Sequence, residues 1–356
     1  MNKKALLFTI PLFIFSISSC REHVKETSVE EGESIFKIAF GSCAWEDHPL
    51  PIFDRVVEHN PNLFIFLGDN IYGDTKEMDT LKAKYARLGS KPTFRNLKNN
   101  VPIIATWDDH DFGWNDAGKE YPHKEESKEI FMDFFEEPQS SSRRDHTGIY
   151  HSYNYKVGEK VLQVILLDGR TFRDKLKPYD GSFDEDRRYS FYNNDYAPHT
   201  SSEPNLLGEQ QWSWLEEQLK EPADIRLIGS GTQFSIEYNG YEAWANFPHE
   251  QKRMVDLIRK TRANGVVFLS GDVHYSEISK LETDFYPIYD FTSSGLSSTW
   301  HFATPNANRV EGPIMDNHFG LLTITDAADP TIKMETWDIS DNQRIEYEVK
   351  LREISF

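Results

Sequence analysis

Four short clusters of side chains that can bind metals or move protons recur along the chain, each directly after an apolar run. They are Cys43, Asp69 with Tyr72, the run from Asp108 to Asp111, and Asp272 with His274. Carboxylate, imidazole, phenolate and thiolate groups form a ligand set for hard and borderline metals. Acidic groups gathered without cations would repel one another, and no Lys or Arg lies within the clusters. A single cluster could be a helix cap, but four together predict a metal-binding crevice.

The apolar runs before the clusters predict buried strands at 35–40, 63–67, 101–106 and 266–269. Helical spacing between and after these runs predicts helices, at 52–60, 77–88, 125–135, 208–219 and 248–263. Strands alternate with helices early in the chain and then cluster late, which predicts one layered α/β domain with a mixed sheet system. Ligands in such folds gather beyond the carboxyl ends of the strands, where the four clusters would converge.

The composition excludes several classes of protein. The 356 residues include 24 Phe, 16 Tyr and 8 Trp. This is ample apolar material for a core, so a wholly disordered chain is excluded. The formal net charge of −19 argues against binding a nucleic-acid duplex through its phosphates and against electrostatic docking on anionic lipid. Two cysteines, Cys20 and Cys43, exclude a disulfide framework.

The N-terminus has the features of a targeting segment. Lys3 and Lys4 precede the apolar run 5–17, which is too short for a confident membrane span. The run ends in Ile17-Ser18-Ser19-Cys20, which resembles the lipobox of bacterial lipoprotein signals, whose Cys becomes the lipidated new N-terminus. We expect a signal peptide at 1–19, a flexible tether at 20–34 and one domain at 35–356, and an ordinary signal peptide is the alternative. The protein is then exported and membrane-anchored only through Cys20, on the periplasmic side or at the cell surface.

Taken together, the motifs resemble those of the alkaline phosphatase D (PhoD-like) branch of the calcineurin-like metallophosphoesterases. The matching segments are Phe40-Gly41-Ser42-Cys43, Leu67-Gly68-Asp69-Asn70-Ile71-Tyr72-Gly73-Asp74, Trp107-Asp108-Asp109-His110-Asp111, Leu166-Leu167-Asp168-Gly169-Arg170 and Ser270-Gly271-Asp272-Val273-His274. The resemblance implies a four-layer α/β/β/α sandwich in a single domain, with a metal cluster at its rim.

The resemblance also implies the metal ligands. Asp69 would bridge two metal ions, because a carboxylate can share ions about 3.5–4 Å apart. Tyr72 lies three residues later, as in the GDxxY pattern of purple acid phosphatases, where a phenolate suggests Fe³⁺. Cys43 and His274 would complete the iron site, and the alternative for Cys43 is a small buried apolar residue.

The second metal would be held by Asp109 and Asp272, with Asp108 as a further candidate ligand. Because these donors are all oxygens, they favour Ca²⁺ over Zn²⁺, although another divalent metal remains open. Two more residues are implied to be catalytic. His110 would donate to the phosphoryl oxygen or protonate the leaving alkoxide, or else orient a ligand. Arg170 would contact the phosphate, or pair with Asp168.

The expected activity is hydrolysis of a small phosphate ester, monoester or diester, by a metal-activated hydroxide. A phosphodiesterase or phospholipase on the same scaffold is the first alternative, and a non-catalytic Ca²⁺-binding surface lipoprotein is the second. The segment 170–207 is rich in Tyr and Phe without a clear period, and we expect an ordered lid there.

Overall fold

A computed structural model of the chain describes residues 34–180 and 195–356, and these described residues form one compact unit. The signal peptide, most of the tether and the central part of the expected lid lie outside the described residues and stay predictions. No helix within the described ranges is long and apolar enough to cross a membrane.

Fifteen strands and eight α-helices make up the described chain, together with short 3₁₀ turns at Trp244–Asn246 and Leu351–Ile354. The strands are β1 Ile35–Gly41, β2 Leu63–Leu67, β3 Ile103–Thr106, β4 His151–Val157, β5 Lys160–Leu166, β6 Lys177–Pro178, β7 Tyr196–Ala197, β8 Ile225–Ser230, β9 Val266–Ser270, β10 Ser276–Leu281, β11 Ile288–Ser293, β12 Arg309–Ile314, β13 His318–Thr325, β14 Thr331–Asp338 and β15 Gln343–Lys350. The helices are α1 Ile52–Glu58, α2 Met78–Ser90, α3 Pro92–Asn100, α4 Asp109–Phe112, α5 Lys124–Phe134, α6 Ser142–Asp145, α7 Gly208–Lys220 and α8 Pro248–Thr261.

Two mixed sheets carry the fold. The first has the order β15-β14-β13-β1-β2-β3, in which β1, β2 and β3 are parallel and β13 pairs antiparallel with β1. The second has the order β12-β10-β11-β9-β8-β5-β4, in which β5, β8, β9 and β11 are parallel. The short β6 and β7 form a separate ribbon within the segment expected to be a lid.

The alternation of side chains along β2 shows how the layers form. Leu63, Ile65 and Leu67 belong to a core cluster that also holds residues of the second sheet and of α7 and α8. Phe64 and Phe66 belong to a separate cluster with residues of α1, α2, α3 and α5. Because successive side chains of a strand point to opposite faces, the first sheet packs on the second sheet with one face and on helices with the other. The predicted four-layer α/β/β/α sandwich is confirmed.

Candidate metal centre

Four of the side chains predicted to bind metal leave their strands from strained backbone. Cys43 follows β1 with a φ of 59°, Asp69 follows β2 with a φ of 48°, and Asp272 and His274 follow β9 with φ of 72° and 59°. Non-glycine residues rarely adopt this left-handed conformation, and it persists where the surrounding structure holds it. The turns direct these side chains into one crevice where the two sheets meet at the carboxyl ends of their parallel strands.

The first group of candidate ligands contains Cys43, Asp69 and His274, whose ligand atoms lie within 4.8 Å of one another. The Cys43 Sγ is 3.3 Å from the Asp69 Oδ2. The other Asp69 oxygen and the Tyr72 hydroxyl are buried and have no hydrogen-bond partner among the described residues. Orphaned buried polar atoms are costly, and a metal ion here would satisfy both, so the donor set fits the implied iron site.

The second group contains Asp108, Asp109, Glu242 and Asp272, whose carboxylate oxygens also lie within 4.8 Å of one another. Asp69 belongs to a third grouping with Asp109 and His110, so it lies between the first two groups, as a bridging ligand must. The Asp108 Oδ2 is buried without a partner among the described residues. An all-oxygen set of this kind fits a hard divalent cation such as Ca²⁺.

The electrostatics of the crevice also favour a cation. Burial, followed by the nearby Cys43 and the other acids, raises the pKa of Asp69 well above its usual range. Burial raises the pKa of Asp108 to about 7, although Arg170 opposes this shift. Burial and the neighbouring acids raise the pKa of Asp272 in the same way. The protein groups alone therefore disfavour full ionisation of these carboxylates, and bound metal ions would supply the missing positive charge.

His110 lies at the edge of both groups. Its Nδ1 is 2.7 Å from the Asp74 Oδ1, and its ring lies 4.3 Å from the Tyr72 ring. Burial disfavours the imidazolium, but the carboxylates of Asp109, Asp69 and Asp74 outweigh that effect and raise the pKa of His110 to about 11. With Asp74 accepting from Nδ1–H, the Nε2–H is the proton that His110 has available to donate.

Arg170 is almost fully buried and paired with carboxylates. Its Nε donates to the Asp108 Oδ1 at 2.5 Å, and its Nη2 lies 2.5 Å from the Glu242 Oε2. The Asp168 carboxylate instead accepts backbone N–H groups, including those of Ile149 and of Arg170 itself, each at 2.9 Å. Within the described residues, the Arg170 guanidinium therefore pairs with the second ligand group, whereas the Asp168 carboxylate accepts a hydrogen bond from the Arg170 backbone N–H. Its predicted contact with phosphate stays a prediction.

A cavity of about 160 Å³ opens onto the candidate ligands. Its lining includes Asp109, His110, Asn115, Asp116, Asp195, Tyr196, Tyr241, Glu242, Asp272, His274 and Trp300. None of these lining residues is Lys or Arg, so among the described residues positive charge on the cavity wall comes from His110, from His274 or from bound metal. Asp109, Asp272 and His274 thus line the cavity, and Cys43 and Asp69 lie beside His274 in the first ligand group.

The sequence motifs do not predict three features of the site. Glu242 joins the second ligand group from a loop after β8 that carries no motif. Asp74 belongs to a recognised motif, but nothing in its spacing shows that it pairs with His110. The segment Ser294–Phe302 after β11 surrounds Cys43 and His274, and its Ser-rich sequence reads only as a loop.

A two-sheet sandwich with a cluster of metal-ligand side chains beyond its parallel strands defines a metallophosphoesterase fold. A profile of the PhoD-like phosphatase family matches residues 38–317, and the chain belongs to this family. The chain is also similar to alkaline phosphatase D of Bacillus subtilis (strain 168), at 26% identity over 303 residues. That alignment covers 78% of this chain and 48% of the relative, so the chain spans about half the length of that protein.

Two solved structures show the same fold. The structure of PhoD superimposes with a TM-score of 0.66 at 18% identity, covering 88% of this chain and 72% of that one. A purple acid phosphatase from yellow lupin seeds gives a TM-score of 0.54 at 13% identity, covering 90% of this chain and 55% of that one. The resemblance inferred from the motifs is confirmed.

Proposed function

We propose that the protein hydrolyses phosphoric esters with the help of bound metal ions. The observation that carries the proposal is the pair of ligand groups joined through Asp69, with His110 beside them on the wall of one cavity. Family membership and the PhoD-like fold support the same activity.

The chain's own residues have distinct parts in this reaction. Cys43, Asp69, Tyr72 and His274 would hold one metal, and Asp69, Asp109, Asp272 and Glu242, with Asp108 as a further candidate, would hold the other. Bound metals of this kind act as Lewis acids on the phosphate and lower the pKa of a water molecule. His110, held by Asp74, donates its Nε2 proton to the leaving-group oxygen. No nucleophilic side chain is required.

We propose Fe³⁺ for the site with Cys43 and Tyr72 and Ca²⁺ for the carboxylate site. A phenolate stabilises a hard trivalent ion, whereas an all-oxygen set suits Ca²⁺. Elemental analysis of protein purified without added metal should find both elements. Zinc alone, at two ions per chain, would contradict this assignment.

The acidic side chains that the structure places on the cavity wall repel a phosphomonoester more than a phosphodiester, apart from the charge that bound metals contribute. Among the described residues, Asp116 and Asp195 line the cavity in addition to the candidate ligands, and no Lys or Arg is part of that lining. A diester carries one negative charge, whereas a monoester at neutral pH carries close to two, so the monoester meets more repulsion. Purified protein should be assayed with bis-p-nitrophenyl phosphate, p-nitrophenyl phosphate and a phospholipid under the same metal conditions. Hydrolysis of none of the three by metal-loaded protein would refute the proposed function.

We further propose that Cys20 carries a lipid anchor, on the evidence of the Ile17-Ser18-Ser19-Cys20 sequence. Cys20→Ala should release the protein from the membrane fraction of the expressing bacterium. A Ser18→Thr variant is a matched control that leaves the modified residue in place. Equal membrane partitioning of Cys20→Ala and the unmutated protein would contradict the anchor.

A further inference from the structure

We propose that Trp300 is a positioning residue that fixes the His274 imidazole in the orientation needed to bind metal. The two rings lie 5.1 Å apart between centroids and are inclined by only 24°, so they stack. The Trp300 backbone N–H also donates to the His274 carbonyl at 3.1 Å, which ties the two residues together through the main chain as well.

One ring nitrogen of His274 already forms a hydrogen bond within the protein. Its Nδ1 lies 3.0 Å from the Ser298 carbonyl oxygen, and because a carbonyl only accepts, Nδ1 carries the proton. The lone pair is therefore on Nε2, the nitrogen left to bind a metal. A single hydrogen bond fixes the position of Nδ1 but leaves the ring free to tilt about it. The stacked indole removes that freedom.

Trp300 is itself held in place. The Phe302 ring stacks on it at 4.9 Å and 13°, and the Tyr241 ring contacts it at 5.1 Å. The His274, Trp300 and Phe302 rings thus form one stack at the edge of the cavity. An imidazole supported in this way cannot tilt unless the indole moves with it.

The same segment also holds the other non-carboxylate ligand of the first group. Ser294 Oγ accepts the His274 backbone N–H at 2.9 Å and lies 3.1 Å from the Cys43 Sγ, so its own proton is free to be donated to sulfur. The backbone N–H groups of Ser297 and Ser298 donate to the Cys43 carbonyl at 3.1 and 3.2 Å. The segment Ser294–Phe302 therefore positions both Cys43 and His274, and Trp300 is its largest side chain in contact with a ligand.

Partners that orient a metal-binding histidine commonly change metal affinity by about 10–100-fold when they are removed. We expect a loss in that range for Trp300→Leu, which keeps an apolar side chain but removes the stacked ring. Trp300→Phe retains a planar ring and should restore most of the affinity. Phe302→Leu removes the support behind the indole without changing a cavity-lining residue, and should weaken binding in the same direction by a smaller factor.

The probe is Co²⁺ titrated into protein stripped of metal. Its thiolate-to-cobalt charge-transfer absorption reports on the Cys43 site alone, because the second group contains no sulfur. Trp214→Leu is the matched control, since Trp214 is a partly buried indole on α7 whose ring contacts Tyr150 at 4.7 Å and is not among the contacts of any candidate ligand. Trp214→Leu should bind Co²⁺ as the unmutated protein does, and thermal melting of each variant reports its folding separately.

The inference rests on the proposed function only in taking His274 as a metal ligand, and His274→Ala tests that point. Unchanged Co²⁺ affinity in His274→Ala would overturn the ligand assignment and this inference with it. Unchanged Co²⁺ affinity in Trp300→Leu and Phe302→Leu, with a raised KM in Trp300→Leu, would overturn the inference and make Trp300 a wall of the substrate cavity. If Trp300→Leu does not fold, the Phe302→Leu titration decides the question. Loss of Co²⁺ affinity in a protein that hydrolyses no phosphate ester would refute the proposed function and leave the positioning role standing.

Discussion

Protonation of His318 should destabilise the protein at acid pH. His318 begins β13, is fully buried, and its Nδ1 donates to the Asp316 carbonyl oxygen at 2.7 Å. Its Nε2 has no partner among the described residues, so a second proton would place an unpaired charged donor in the interior. Burial is the main cause that lowers the pKa of His318 to about 4, with Arg344 adding to it and the Asp316 carbonyl and carboxylate opposing it.

The size of the effect follows from that pKa. In the unfolded chain the imidazole titrates near 6.5, so between that pH and about 4 the unfolded chain binds more protons than the folded protein. The stabilisation from neutral His318 is therefore complete above about pH 6.5 and is lost progressively as the pH falls toward 4. The full shift corresponds to about 3 kcal/mol, of which about 2 kcal/mol is lost by about pH 5.

The assay is urea unfolding at about pH 8 and about pH 5, with a chelator present so that metal binding does not contribute. His318→Asn places an amide N–H near the position of Nδ1 and removes the titrating ring. The variant should be less stable than the unmutated protein at the higher pH, because it leaves a cavity. Its loss of unfolding free energy between the two pH values should be smaller by about 2 kcal/mol. His301→Asn, at an exposed histidine, is the control and should keep the full loss. An equal loss in His318→Asn and the unmutated protein would refute the reasoning.

Three further predictions concern the site. Asp69→Asn removes the charge that joins the two ligand groups, so it should abolish metal-dependent hydrolysis and lower the metal content, as measured by elemental analysis. His110→Ala should keep its metal and lose roughly 10²–10⁴ in kcat on an alkyl phosphate ester, with a smaller loss on a p-nitrophenyl ester whose leaving group needs no proton. Loss of metal, or equal defects on both esters, would show that His110 is not the leaving-group acid. Asp74→Asn, which weakens the hold on His110, should lower kcat by about 10–100-fold with metal content unchanged, and unaltered kcat would show that the pairing has no catalytic role.

The sequence predicts those parts of the fold that depend on apolar periodicity. The buried runs of β1, β2 and β9 and the amphipathic α7 are found within one or two residues of their predicted bounds. β10 is not predicted, because the strand Ser276–Leu281 buries Ser276, Glu277 and Ser279 and so shows no apolar alternation. Glu277 is accommodated by pairing with Arg309 and by the Gln233 amide at 2.8 Å. A sequence cannot show in advance which charged residue will find such partners.

The candidate site also contains some residues that the sequence predicts and others that it does not. Residues that directly follow a strand, such as Asp69 and Asp272, are found by their position, because the sheet determines where a strand ends. Glu242 reaches the same crevice from a loop far along the chain, and its contribution depends on how that loop packs on Arg170 and Arg173. Trp300 is similar, since only the folded segment reveals its stack on His274. The placement of Glu242 and of Trp300 is determined by tertiary packing, which leaves no local pattern in the sequence.

Backbone strain gives a separate argument that the crevice is a functional site. Ten non-glycine residues of the described chain have positive φ, and six of them lie in or beside the crevice: Cys43, Asp69, Asp74, Asp116, Asp272 and His274. Each such residue costs roughly 1–2 kcal/mol relative to a relaxed backbone, and glycine would avoid that cost. Glycine would also remove the thiol, carboxylate or imidazole that projects into the crevice. Backbone conformation alone would favour glycine at these turns, so the concentration of such non-glycine residues in the crevice supports the proposed metal centre.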